Sequence, residues 1–252
     1  MSSEPSAAPT PGGPSLLEQT LVVIGGSAGI GLATARHARA EGAAVILTGR
    51  DPERLRTAAA EVDALSTAAF DANDPAQLQR FFQDLPRPVD HVMVTAGHPS
   101  YGRLLDMDSD QARRAISDHT ALALEVARHA AGTVRPGGTL LLLGGTGARR
   151  VRAGLGIAPA VTAALPALTA GLALELAPVR VNLIATGFVD TPLSARLLGD
   201  GLDARREELR ASLPIGRVVV PADVAALAVH IMTNTALTGA TYDIDGGQQL
   251  IG

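Results

Sequence analysis

The sequence predicts one α/β domain built on a doubly wound parallel sheet of about seven strands, with helices on both faces. Three observations predict it. Short apolar runs alternate with amphipathic stretches along the chain, the pattern of repeated βα units. The 252 residues fit one large domain of this class, and no linker, repeat or shift in composition divides them. The residues are 46% hydrophobic but only 2% aromatic. The core must therefore come from Ala, Val, Leu and Ile, which suits helices packed on both faces of a sheet.

Taken in chain order, residues 1–15 are rich in Ser, Pro, Ala and Gly and lack the basic start and apolar stretch of a secretory signal. They read as a disordered tail, leaving 16–252 as the domain. Leu21–Ile24 is a short, uninterrupted apolar run, as a strand buried on both faces should be, and Ile30–Glu41 is the helix after it. Ala44–Leu47 reads as the second strand. The helix Pro52–Val62 follows, opened by an Asp51 N-cap with proline at the first helical position. Asp74-Pro75 repeats that device between the strand Ala68–Phe70 and the helix Pro75–Asp84. Strands His91–Thr95 and Thr139–Leu143 flank a long helix, Asp110–Gly132. Strand Val179–Ile184 follows the helix Val161–Leu176, in which Pro166 forces a cost of about 3 kcal/mol unless the helix kinks. Ala222–Met232, opened by Pro221, and Ala240–Ile244 are the last helix and strand.

Composition excludes several classes of function. Net charge is -4, so no global attraction to nucleic acid is expected. The chain has no cysteine, which removes disulfides, a thiolate nucleophile and a cysteine-based metal site. All 21 basic residues are arginine. The uncharged stretch Ala153–Leu174 is long enough to cross a bilayer, but its Ala, Gly, Thr and Pro content reads better as a buried helix at a subunit interface. A cytoplasmic protein without membrane attachment is expected.

The first strand runs directly into Gly25-Gly26-Ser27-Ala28-Gly29-Ile30-Gly31 and then into a helix. This is the context in which a glycine run binds phosphate, and it makes the fold Rossmann-like. Gly25 permits the tight turn, Gly29 lets backbone N–H groups approach a pyrophosphate, and Gly31 lets the helix sit close on the strand. The positive end of the helix then faces the anion, with Ser27 as a hydroxyl donor. A structural turn without ligand is the alternative. At the end of the second strand, Gly49-Arg50 favours NADP(H) over NAD(H), because an arginine suits the 2′-phosphate where a carboxylate would suit the free hydroxyl. A solvated surface arginine is the alternative there. Asp71, after the third strand, is placed to accept from an adenine amino group or to cap its own loop.

These turns, with Val94-Thr95-Ala96-Gly97 after the fourth strand, Val181-Asn182 followed by Gly187, Val189 and Thr191, Pro221-Ala222-Asp223, Thr238-Gly239 and Asp245-Gly246-Gly247, resemble the short-chain dehydrogenase/reductase family. The resemblance spans Leu21 to the C-terminus. It implies a seven-stranded sheet, a nicotinamide held near Thr191 with Ile30, Ala96, Gly97, Gly187 and Val189 around the cofactor, and a homodimer or homotetramer. It also implies a Ser, a Tyr and a Lys as the redox machinery, with an Asn on the preceding long helix. Carried over by spacing, the Ser position is Gly145, the Tyr position Ala158, the Lys position Thr162 and the Asn position His119. Every member of the set is replaced, and with no lysine in the chain no change of register restores the pair. Val94-Thr95 stands where the family usually has two asparagines, and Thr186 where it has Pro.

What remains on the loops after strands four to six can still act. His98 follows the Gly97 turn, and histidine is a general acid near neutral pH without a lysine to tune it. His119 points in from the long helix, and Tyr101 offers a phenol. Each has a structural alternative: a loop histidine, a packing histidine, a lid tyrosine. Arg149, Arg150 and Arg152 could grip an anionic substrate or form a solvated loop. His37, His91, His129 and His230 have no clustered partners and read as structural. The functions these features allow are an NADP(H)-dependent oxidoreductase on a carbonyl-type small molecule, with His98, His119 or Tyr101 as proton donor; an inactive NADP(H)-binding regulatory or scaffold protein; and a repurposed lyase, isomerase or cyclase.

Overall fold

The computed structural model describes residues 15–97 and 99–251. Seven strands form one sheet: β1 Thr20–Ile24, β2 Ala44–Gly49, β3 Ser66–Ala69, β4 Val89–Val94, β5 Val134–Gly145, β6 Arg180–Thr186 and β7 Thr241–Ile244. Their order is β3-β2-β1-β4-β5-β6-β7, and every neighbouring pair is parallel. The direction of winding reverses between β1 and β4, which opens a crevice at the carboxyl ends of those strands. The expected Rossmann-like architecture is present.

The helices are α1 Gly29–Ala40, α2 Pro52–Val62, α3 Pro75–Asp84, α4 Ser109–Ile116, α5 Leu122–Ala130, α6 Ala158–Glu175, α7 Pro192–Leu198, α8 Leu202–Ser212 and α9 Pro221–Thr233. The strand pleat divides the core into two layers. On β1, Val22 and Ile24 join Leu78, Phe82, Val126 and Leu165 of α3, α5 and α6 on one face. Leu21 and Val23 join Ala35, Leu55, Val62, Val224 and Ala228 of α1, α2 and α9 on the other.

Three departures from the expected elements have physical reasons. The helix expected over 110–132 contains a π-helical segment, Ser117–Ala121, between α4 and α5. β5 begins five residues early, and its register against β4 shifts between Val89 and His91, where Pro136 and Gly137 (φ +78°) break the pleat. α7 and α8 have no strong apolar period: the buried residue of α8 is Leu209 alone, and the helix carries the surface pairs Arg205–Glu208, Arg206–Asp203 and Arg210–Glu207 instead. Pro166 lies inside α6; lacking an N–H, it leaves the Thr162 carbonyl without its amide partner one turn on.

Of the expected tail, residues 1–14 lie outside the described residues. Ser15 is docked on the domain, its N–H and hydroxyl donating to Glu41 Oε2 at 3.0 and 2.8 Å. Those bonds hold the Glu41 carboxyl below its ordinary range.

Candidate nucleotide and substrate cleft

The phosphate-binding turn is built by close backbone approach. Gly25 has φ +99°, and a Cβ there would lie 2.7 Å from the Ala96 nitrogen; one on Gly31 would lie 2.4 Å from the Gly25 oxygen. Neither position tolerates a side chain. Asp51, Asp74, Asp108 and Thr191 cap the starts of α2, α3, α4 and α7 through their side chains. The start of α1 has no side-chain cap, and no acidic residue lies in its first turn. Its leading N–H groups and positive dipole end are therefore open to an anion. Thr95 fixes this turn from β4: its hydroxyl donates to the carbonyl oxygens of Ile24 and Gly25 at 3.2 and 3.0 Å.

The floor for the nucleoside end lies at β2. A Cβ on Gly49 would sit 3.0 Å from Ser27 Oγ, so glycine is what lets the Ser27 hydroxyl lie against the strand. Arg50 is exposed and its guanidinium has no partner among the described residues. The carboxylate beside it is occupied. Asp51 Oδ1 accepts the N–H groups of Glu53 and Arg54 at 3.0 and 3.2 Å, and Oδ2 pairs with Arg54 at 3.3 Å. Asp51 thus does not cancel Arg50. A groove of about 280 Å³ adjoins them, lined by Ser27, Leu32, Arg54 and Thr57 together with Glu53 and Glu61, whose carboxylates pair with Arg56 and Arg36. Asp71 is exposed, with Oδ1 accepting from the Asn73 N–H at 3.0 Å. Ile30 packs, half-buried, on the core.

Across the crevice, Gly29 (φ +56°) faces Thr191, whose Cβ would be 3.6 Å from a Gly29 Cβ. The Thr191 hydroxyl accepts the Ser194 N–H, and Ser194 Oγ accepts the Thr191 N–H, a reciprocal cap that sets the start of α7. Val189 is buried and bridges Val219. Gly187 packs so tightly that a Cβ would lie 2.6 Å from both Asp245 Cβ and Gln248 Oε1. Gln248 Oε1 in turn accepts the Phe188 N–H at 2.7 Å. Arg206 of α8 grips Asp190 through two bonds of 2.9 and 2.8 Å, tying the α7–α8 segment to this loop. Sequence reading missed Ser194, Gln248 and Arg206, and named Thr95 without its role, because each acts through backbone or carboxylate groups brought close only by the fold.

Ala96 and Gly97 (φ +112°) continue the turn after β4. A Cβ on Gly97 would lie 3.3 Å from His119 Nε2. His119 sits in the π segment, a distortion that re-aims side chains. Its Nδ1 lies 3.1 Å from the Ala115 oxygen, and since a carbonyl can only accept, Nδ1 carries a proton. Nε2 is then the free ring nitrogen, an acceptor when the ring is neutral and a donor when it is charged. His98 lies outside the described residues. Burial pushes the Tyr101 phenol above its ordinary 10.0, although the residue is 51% exposed, which makes it a poorer acid.

The positions that the resemblance assigns to catalysis also come together, but without reactive groups. A Cβ on Gly145 would be 3.4 Å from Thr162 Cγ2, and one on Gly147 3.6 Å from Thr162 Oγ1. Ala158 opens α6, and the Thr162 hydroxyl donates back to the Pro159 carbonyl at 3.1 Å. Of the other histidines, His91 is buried, with Nε2 donating to Gln19 at 2.7 Å, and burial pushes its pKa down to about 3. His129 stacks on Phe82 at 5.1 Å, His230 lies 3.4 Å from the Asn234 amide nitrogen, and His37 is in the last turn of α1.

A dinucleotide fits this crevice: two glycines that cannot carry a Cβ and an uncapped helix start follow β1, and an arginine without a partner among the described residues ends β2. Comparison with known proteins agrees. Residues 25–249 match the family model described as enoyl-(acyl carrier protein) reductase. The short-chain reductase protein NovJ of Streptomyces niveus is 32% identical over 92% of this chain and 94% of its own. Short-chain dehydrogenase/reductase ATR9 of Stachybotrys chlorohalonatus is 27% identical over 93% and 98%. A small-chain dehydrogenase crystallised in complex with NADPH superposes with a TM-score of 0.79 at 30% identity, covering 92% of this chain and 99% of that one. Sheet order, phosphate turn and these relatives lead to one conclusion: the chain belongs to the short-chain dehydrogenase/reductase family.

Proposed function

We propose that this chain is an NADP(H)-dependent oxidoreductase that reduces a carbonyl-type small molecule, with His119 handling the proton. The observation that carries the reading is the approach of His119 Nε2 to Gly97, the turn beside which the family's nicotinamide rests. Structures of two neighbours, the small-chain dehydrogenase above and BdcA (TM-score 0.82, 26% identity over 92% of this chain and 95% of that one), contain NADPH. In this chain, Gly25, Gly29, Gly31 and the α1 start would hold the pyrophosphate. Ser27 and Arg50 would hold the 2′-phosphate, Asp71 the adenine, and Ala96, Gly97, Gly187, Val189 and Thr191 the nicotinamide half. When bound, the cofactor supplies hydride. His119, charged on Nε2 and anchored through Nδ1, donates a proton to the carbonyl oxygen. His98 and Tyr101 are the alternative donors.

A second reading has its own observation. Gly145, Ala158 and Thr162 present no acid, which favours an NADP(H)-binding regulatory or scaffold protein, or a lyase, isomerase or cyclase that leaves the cofactor unchanged. As for assembly, α6 is 18 residues long with mean hydropathy 1.3 and only 22% buried, and Leu174 is 83% exposed. We assign that face to a homodimer or homotetramer contact in a cytoplasmic protein.

Calorimetric titration with NADPH and NADH tests the reading. Selective NADPH binding is expected, and Arg50→Ala should weaken it roughly tenfold to a hundredfold, the worth of charge-assisted bonds to a phosphate, while NADH affinity stays put. Absence of binding to either nucleotide would sink it. Product formed without a change in nicotinamide absorbance would favour the second reading.

A further inference from the structure

The arginines Arg50, Arg114, Arg150 and Arg196 have no side-chain hydrogen bond or ion pair among the described residues. Arg50, Arg114 and Arg196 are exposed, where water serves them; Arg150 is half-buried. A half-buried arginine whose guanidinium meets no carboxylate or carbonyl adds no ion pair or hydrogen bond to the fold. Its charge is available to a ligand instead.

The surroundings point the same way. Arg150 lies on the loop after β5, at the carboxyl edge of the sheet, where ligands of open α/β folds sit. That loop is held on both sides. Arg149 makes two bonds to Asp243, of 3.2 and 3.1 Å, and Arg152 reaches the Ile251 carbonyl at 3.4 Å. Towards the other wall, the Gly102 N–H donates to the Gly154 carbonyl at 2.9 Å, and Gly102 bridges Leu155. The loop bearing Tyr101 is thereby stitched to the loop bearing Arg150. Carboxylates on the adjoining segments are already engaged: Asp243 by Arg149 and Gln249, Asp190 by Arg206, and Asp245 by the N–H groups of Gly247 and Gln249. Of the run Arg149-Arg150-Val151-Arg152, Arg150 is the arginine whose guanidinium makes no hydrogen bond or ion pair among the described residues.

We infer that Arg150 is an anion-recognition residue of the substrate site, and that the substrate is a carbonyl compound bearing a carboxylate or phosphate. The inference rests on the reductase reading above. Its test uses the full chain saturated with NADPH and two probe pairs: levulinate against its methyl ester, and dihydroxyacetone phosphate against dihydroxyacetone. Calorimetry should show the charged member of one pair binding about tenfold tighter or more, as a charge-assisted bond implies, and the responding pair tells carboxylate from phosphate. Arg150→Met should bring that ratio to within about twofold, and Arg150→Lys should restore part of it through a point charge. NADPH affinity should be the same in all three proteins. Equal affinity for charged and uncharged probes, no binding of any probe, or a preference that survives Arg150→Met would each overturn the inference. If NADPH itself fails to bind, the cofactor reading falls; the same titrations on cofactor-free protein still measure anion preference.

Discussion

Two sets of glycines in this molecule look alike in sequence and are opposites in structure. Around the phosphate turn, Gly25, Gly31 and Gly187 face backbone or side-chain atoms at 2.4–2.7 Å from where a Cβ would stand. Around the loop after β5, Gly145 and Gly147 have nothing nearer than 3.4 and 3.6 Å, ordinary van der Waals contact. The first set is glycine because the fold requires it. The second is glycine without steric need, and the family resemblance puts a serine at one of its members, Gly145. On the reading proposed above, a tightly packed nucleotide cradle stands beside a reaction centre without the acid that the family resemblance implies. Binding and chemistry are separable layers of this fold.

The sharpest way to break this contrast is to add one methyl group to each set. Gly31→Ala should abolish NADPH binding in calorimetry and lower the melting temperature, since the new Cβ meets a carbonyl oxygen that cannot move without opening the turn. Gly145→Ala should leave stability within about 0.5 kcal/mol, as for a substitution with room. Equal damage from both would show that the two sets are not different in kind.

How much of this was legible beforehand follows the same division. Asp-Pro caps located α2 and α3 to the residue, because a cap and a fixed φ act locally. The phosphate turn was legible because a strand, three glycines and a helix adjoin in the chain. The orientation of His119 was not, since it depends on a π segment that no spacing announces and on which carbonyl its Nδ1 meets. Helices α7 and α8 escaped for want of an apolar stripe: the first is set by the Thr191–Ser194 cap and the second by Leu209 and surface ion pairs. The occupation of Asp51 by its own helix and by Arg54 was legible only in part, because capping predicts one oxygen's partners and the fold supplies the other's.

On the stripped side, the test is whether one histidine stands in for the missing group. His119→Gln keeps a side chain of similar reach that cannot carry a proton at neutral pH. If His119 is the acid, NADPH-dependent carbonyl turnover should fall on the order of a hundredfold, the lower end for a general acid, at unchanged NADPH affinity. Full activity in His119→Gln would move the role to His98 or Tyr101 and leave the cleft's proton chemistry independent of the π segment.

The smallest expected effect probes the seam between the two layers. Thr95 is the residue through which β4, the strand that leads to Gly97 and His119, holds the phosphate turn that ends β1. Its hydroxyl has one proton but two carbonyl oxygens in reach, so the interaction is shared and worth about as much as one neutral hydrogen bond, roughly 0.5–1.5 kcal/mol. Thr95→Val preserves the shape and removes the donor. NADPH affinity should fall a few-fold, measured by calorimetry, and thermal stability should drop by a few degrees, because the Gly25 carbonyl loses its side-chain donor while that of Ile24 keeps the N–H groups of Thr95 and Ala96. If affinity falls while stability does not, the hydroxyl orients the turn rather than supporting the fold. If stability alone falls, Gly25 is held by its own backbone contacts, and the cradle is independent of the strand that joins it to the reaction centre.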